Sequence, residues 1–148
     1  MTEELIATFG YIGLFAISFL AATLFPLGSE AVVILMVARG YNSALVLTVA
    51  TVGNYLGSLT NYYVGRWGAD FLFARYIQIN PRALQQSQAM YQRWGAQILF
   101  FSWAPVVGDA LTVISGMLKL PLGVFSFWVL LGKALRYLVV VGLTMYSI

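Results

Sequence analysis

Long apolar runs broken by short polar clusters set the pattern of this chain. Leu5–Phe25 is 21 residues without a charge, enough for a helix to cross a hydrocarbon core of roughly 30 Å. Pro26–Ala38 adds 13 residues, which as a helix reach only about 20 Å and cannot span. The Pro and the Glu at the junction favour a re-entrant hairpin over a spanning helix followed by a surface helix. Irregular backbone at that depth is tolerated where protein or a wet cavity covers it. Residues 39–43 form a turn at the interface. Ala44–Gly65 is a full-length membrane helix. Residues 66–95 are the polar region and predict two interfacial helices: Trp67–Gln78, then a restart with Asn80 as cap and Pro81 at the first helical position. Ala96–Leu118 repeats the first hairpin, residues 119–121 form a turn, and Gly123–Tyr146 is a second full-length membrane helix.

Composition agrees with this pattern. The 148 residues are 61% apolar and 9% charged, whereas a soluble domain is about a quarter charged. The chain reads as an all-α integral membrane protein of one domain, 1–148, divided into a first half (5–65), an amphipathic connector (66–94) and a second half (95–146). Cysteine and histidine are absent. That excludes disulfides, thiolate metal sites, cysteine nucleophiles and Ser-His pairs; no metal or cofactor is expected, and the chain is not read as an enzyme. The net charge of +3 comes from scattered basic residues, so no nucleic-acid partner is expected. The acidic N-terminus, with Glu3 and Glu4, is unlike a signal peptide and reads as uncleaved.

The halves share rare residues. Pro26, Glu30 and Ala31 recur as Pro105, Asp109 and Ala110, and Gly53 recurs as Gly132; the offset is 105 − 26 = 79. Each half is then a re-entrant hairpin, a turn and a spanning helix, and the second half must enter the membrane from the side on which the first ends. This is an inverted-topology repeat. Arg66, Arg75, Arg82, Arg93 and Lys119 fall on one side and Arg39 on the other. The positive-inside rule makes the first side cytoplasmic and leaves both termini non-cytoplasmic. Trp67, Phe71, Tyr76, Tyr91 and Trp94 read as interfacial belt residues.

Intramembrane ionisable residues mark pathways or pairs. The candidates are Glu30, Asp109, Lys133 and Arg136. Hairpins from opposite faces bring their tips, Pro26, Gly28, Ser29, Pro105 and Gly108, together near the midplane. Free N–H groups at the starts of the returning half-helices then point into the site. Ser29 and Asp109 are also candidate N-caps, and Glu30 a partner for a first-turn N–H. Lys133 and Arg136 share a helix face and lie too deep to snorkel easily. They neutralise the two acids in a buried network, bind a lipid phosphate in transit, or do both, as pairs that open when a proton or a phosphate replaces one partner; proton coupling is physically open. Gly53, Gly57 and Gly65 recur at intervals of four with Asn61 and, with Gly132, read as close helix-packing positions. Asn54 and Asn61 remain open between packing and function.

The sequence resembles the DedA superfamily of SNARE-associated, VTT-domain membrane proteins, and within it the short YqaA-like branch. The resemblance rests on Phe25-Pro26-Leu27-Gly28-Ser29-Glu30, on Gly53-Asn54-Tyr55-Leu56-Gly57 with Gly65, and on the stretch from Phe100 through Trp103 and Pro105 to Gly108-Asp109, followed by Gly116. It implies two opposed re-entrant hairpins and an amphipathic segment between the halves. It also implies movement of membrane lipids across a bacterial inner membrane: lipid scrambling in eukaryotic relatives, recycling of the undecaprenyl phosphate carrier in some bacterial ones, with dependence on the proton-motive force proposed. The acid of the first hairpin corresponds to Glu30. Many members carry Arg on either side of the second-hairpin Pro, where this chain has Ser102 and Gly108. That departure weakens the undecaprenyl phosphate assignment more than lipid translocation in general. Two rivals remain. One is a non-catalytic membrane scaffold whose charges fix helix register. The other is an intramembrane diacid protease, faintly suggested by Val107-Gly108-Asp109 but with Val106 where such proteases carry Gly. So small a chain has little surface to enclose a pathway, so a homo-oligomer is expected.

Overall fold

The computed structural model describes residues 2–23, 28–75, 81–104 and 107–148, without the side chains of 2–6, 69–75, 81, 83, 84, 87 and 88. Pro26, Asn80 and Pro105 lie outside the described residues, as do Tyr76 and Val106, and the Phe71 side chain is among those not described. Every regular element among the described residues is helical. In chain order these are α1 (Thr2–Thr23), α2 (Ser29–Ala38), α3 (Ser43–Arg75), α4 (Pro81–Trp94), a 3₁₀ helix (Gly95–Phe101), α5 (Val107–Met117) and α6 (Leu122–Ser147).

Among the described residues, two stretches have the length and apolarity to cross a membrane. They are Ser43–Gly68 and Leu122–Ser147, 26 residues each, or about 39 Å at 1.5 Å per residue. Ala7–Thr23, α2 and α5 are apolar but shorter. The Ser43 helix does not stop at Gly65. It bends at Gly68, where φ is −173° and ψ 38°, and continues to Arg75. The expected break between spanning and interfacial helix therefore falls at Gly68, whose backbone is not helical, rather than at Gly65. α4 starts at Pro81, where proline's missing N–H costs no helical bond. It ends at Trp94, and Gly95 after it, with φ 68°, turns the chain. The second hairpin departs from expectation in its first arm. That arm is the short 3₁₀ helix Gly95–Phe101, followed by turns through Ala104 before α5 begins.

Both short helices end in the same turn. Gly40 (φ 85°) follows α2, with Gly40 N donating to Val37 O and Tyr41 N to Met36 O. Lys119 (φ 54°) follows α5, with Lys119 N donating to Gly116 O and Leu120 N to Ser115 O. These are Schellman closures, which satisfy the last carbonyls of a helix through a left-handed residue. Glycine takes that conformation freely, whereas Lys119 pays a steric cost for it. Asn42 then caps α3, accepting from Ala44 N and Leu45 N at 3.0 and 3.1 Å.

The helices approach closely where side chains are missing. Gly53 and Gly57 let α1 onto α3; a Cβ at Gly53 would sit 2.7 Å from the Phe15 carbonyl oxygen. Gly65 lies against Val113 O and Gly116 against Tyr62 O, so α5 and α3 cross backbone to backbone. Gly132 of α6 lies against Phe100 O of the 3₁₀ helix. α2 packs on α6, and α3 and α6 pack on each other. Leu14, Val33, Val46 and Tyr137 anchor one apolar cluster; Tyr62, Leu99, Leu111 and Phe125 anchor a second.

Candidate functional site

The four charged candidates line one cavity of about 100 Å³. α2 contributes Ser29 and Glu30, α3 Asn54, α5 Asp109, and α6 Lys133 and Arg136; Ala21, Ala22, Ser102, Trp103 and Ala104 complete the wall. Local structure explains each placement. Glu30 stands in the first turn of α2 and Asp109 in the first turn of α5, where the helix dipole favours negative charge. Lys133 and Arg136, one turn apart on α6, both reach the cavity from the apolar body of that helix.

The charges are not simply paired acid with nearest base. Arg136 forms an ion pair with Glu30 and donates from its other terminal nitrogen to Trp103 O at 3.2 Å. Lys133, only 2% exposed, donates to Asn54 Oδ1, a neutral acceptor. Asp109 lines the same cavity, without an ion pair among the described residues. A buried ammonium is costly unless hydrogen-bonded, and the Asn54 amide meets that need without cancelling the charge.

Asn54 is the hub. Its Nδ2 donates to Ser18 O of α1 and to Tyr137 OH of α6, both at 3.1 Å. Tyr137 OH also shares a 2.6 Å hydrogen bond with Ser29 Oγ. Ser29, Asn54 and Tyr137 are buried at 1%, 3% and 0% exposure. One network thus ties α1, α2, α3 and α6 around Lys133. Its neighbour Ser102 is also buried, and its hydroxyl has no partner among the described residues.

The capping assignments need correction. The N-cap of α2 is Gly28, with no side-chain cap bond, and Ser29 Oγ turns inward to Tyr137. Glu30 takes Arg136 as its partner rather than a first-turn N–H. Asp109 is the third residue of α5 and so is not its cap; its carbonyl accepts from Thr112 Oγ1 at 2.7 Å. Gly28 is exposed, while Gly108 is buried against Ser102 O, with its N donating to Ala104 O at 2.9 Å. Asn61 is structural: its Nδ2 donates to Ala22 O and Thr112 Oγ1 across two helix contacts. Asn54 belongs to the site. The sequence carried one signal for it, because Asn54 and its partner Lys133 stand 79 residues apart, the repeat offset itself. Tyr137, Ser18, Ser102 and Trp103 carry no such signal.

Short and membrane-length helices pack around two acids and two bases, and with the relatives below this is a membrane protein with a polar site in its apolar interior. The chain belongs to the VTT-domain family: residues 25–146 match the VTT domain, the hallmark of DedA proteins. It is 40% identical over 132 residues to the inner membrane protein YqaA of Escherichia coli K12, covering 88% of each chain. It is 37% identical over 142 residues to an uncharacterised protein of Haemophilus influenzae, covering 88% of this chain and 85% of that one. The undecaprenyl phosphate transporter A of Bacillus subtilis is more distant, 27% identical over 86 residues, or 55% of this chain and 42% of that protein. No solved structure matches. Similarity to inner membrane proteins supports a bacterial inner membrane as the location.

Proposed function

We propose that this protein moves phospholipids or lipid-linked phosphates across the bilayer, as a transporter or scramblase with proton coupling at its carboxylates. The observation that carries this is the cavity in which Glu30, Asp109, Lys133 and Arg136 meet. Four ionisable groups in so small an apolar protein are expensive to bury, and such groups mark substrate and proton pathways. Lys133 supplies a positive charge held by a neutral amide, open to a phosphate oxygen. Arg136 supplies a second if a proton on Glu30 releases it. The name of the Bacillus subtilis relative supports a phosphate-bearing lipid as the substrate class.

Two opposed re-entrant hairpins in an inverted repeat fit this function, because they set one central site facing either leaflet in turn. Three features support the repeat. The turns at Gly40 and Lys119 carry the same bonds at an offset of 119 − 40 = 79. The first short helix packs on the long helix of the other half, α2 on α6, and the second does the same, α5 on α3. Asn54 and Lys133, equivalent positions, bond to each other. On this reading both termini are non-cytoplasmic, and a homo-oligomer encloses the pathway.

One observation favours the scaffold alternative: Glu30 and Arg136 are already paired, and Lys133 already has an acceptor. Reconstitution separates the two. Fluorescent phospholipids and polyprenyl phosphates are followed across proteoliposome membranes for wild type and Lys133→Ala/Arg136→Ala, with and without a pH gradient. Translocation that the folded double variant lacks supports transport. No translocation of any head group by wild type supports the scaffold.

A further inference from the structure

The charged cavity has a second wall, which the transport reading leaves unassigned. Ala21 and Ala22, near the end of α1, and Trp103 and Ala104, after the 3₁₀ helix, close it with small side chains and one indole. The cavity is not sealed. The Glu30 and Arg136 side chains are 23% and 27% exposed, so their ion pair reaches the molecular surface. That surface is apolar. Trp103, in the cavity wall, is 37% exposed, and Val139, one helical turn from Arg136 on the same face of α6, is 53% exposed. On helices of a membrane protein, large exposed apolar side chains face hydrocarbon, since water would penalise them and lipid does not. A cavity of about 100 Å³ has room for about three waters at roughly 30 Å³ each, and so for a compact polar head but not for acyl chains.

From this we propose that the mouth of the cavity, where half-buried Ala21 and exposed Trp103 line it, is a lateral portal to the bilayer. A lipid presents its head group to Lys133 and Arg136 through this mouth while its chains stay in the membrane. Substrates are selected by the size of the head that passes Ala21, and the tail is left unread. The inference rests on the proposed lipid movement for its function, but the portal itself is a statement about what the cavity mouth faces.

The chain lacks cysteine, so Ala21→Cys gives a unique labelling point. Bimane attached there, in proteoliposomes, is expected to be quenched by lipids carrying a nitroxide on the acyl chain and not by aqueous iodide. Quenching by iodide and not by the nitroxide lipids overturns the portal, whether or not the protein moves lipid. In the transport assay, Ala21→Trp is expected to abolish translocation of lipids with large head groups first, and Trp103→Ala to preserve it. Unchanged head-group dependence in a folded Ala21→Trp protein contradicts the size selection. Lipid-facing bimane in a protein that translocates nothing leaves the portal standing and removes the transport reading.

Discussion

Adding one methyl group at the α3–α5 crossing is expected to damage this protein more than the same change at helix glycines that face open space. In Gly116→Ala the new Cβ would fall on the Tyr62 carbonyl oxygen and 3.0 Å from Arg66 N; in Gly65→Ala it would fall on Val113 O and 3.2 Å from Met117 N. The obstructing atoms are backbone, which has no rotamer to give. The helices must part by on the order of 1 Å, and a gap of that size forfeits roughly a quarter to a half of the dispersion attraction of each facing pair. Overpacking of this kind costs about 1–3 kcal/mol. Gly13 and Gly142 meet no atom within 4 Å of an added Cβ, and there alanine gains about 0.5–1 kcal/mol of helix stability. The two pairs should differ by roughly 1.5–4 kcal/mol, the sum of both terms. Reversible unfolding in mixed micelles, followed by circular dichroism, measures it. Equal stability of all four variants would refute the close backbone crossing that holds α5, and with it Asp109, against α3.

The polar network makes further claims. Asn54→Leu removes the acceptor of Lys133 and should destabilise by about 1.5–3 kcal/mol, the worth of a hydrogen bond to a charged group; the same unfolding assay reads it, and a neutral result would remove Asn54 from the site. Tyr137→Phe strips partners from Ser29 and Asn54 and should cost about 1–3 kcal/mol, whereas Tyr146→Phe, at a residue 91% exposed, should lie within about 0.5 kcal/mol of wild type. Arg136→Gln leaves Glu30 unpaired in the cavity and should lose more stability than Arg136→Gln combined with Glu30→Gln; a double variant no better than the single would show the pair to be solvated.

Particular residues show what the sequence discloses and what it withholds. A charge inside an apolar run is conspicuous, so Glu30, Asp109, Lys133 and Arg136 were legible, and the structure gathers them in one cavity. Gly53, Gly57, Gly65 and Gly132 stood out by their spacing, and each meets neighbouring backbone. Pro81 marked the start of α4 for a stereochemical reason. Tyr137 was not legible as a site residue, and Asn54 stayed open between packing and function, because an amide or a phenol in a membrane helix more often bonds a neighbouring backbone, as Asn61 does to Ala22 O. Pairing was equally hidden. Which base meets which acid depends on how α2 and α5 cross α6, and no local pattern encodes a crossing. The 3₁₀ arm Gly95–Phe101 escaped because its apolar run reads the same in either helix type. The turn at Lys119 was expected, but not its left-handed backbone, which is usually left to glycine, as at Gly40.

The central claim is that the buried charges are a transport site rather than a structural clasp. Glu30→Gln tests it most directly, because it keeps the side chain's size and removes only the charge that holds Arg136. Wild type and Glu30→Gln are reconstituted at equal density, and translocation of a fluorescent phospholipid is followed by dithionite quenching under an imposed pH gradient. The account predicts lipid movement by wild type that responds to the gradient, and loss of that response in a folded Glu30→Gln protein. Wild-type movement with the same rate and gradient response in Glu30→Gln would contradict it.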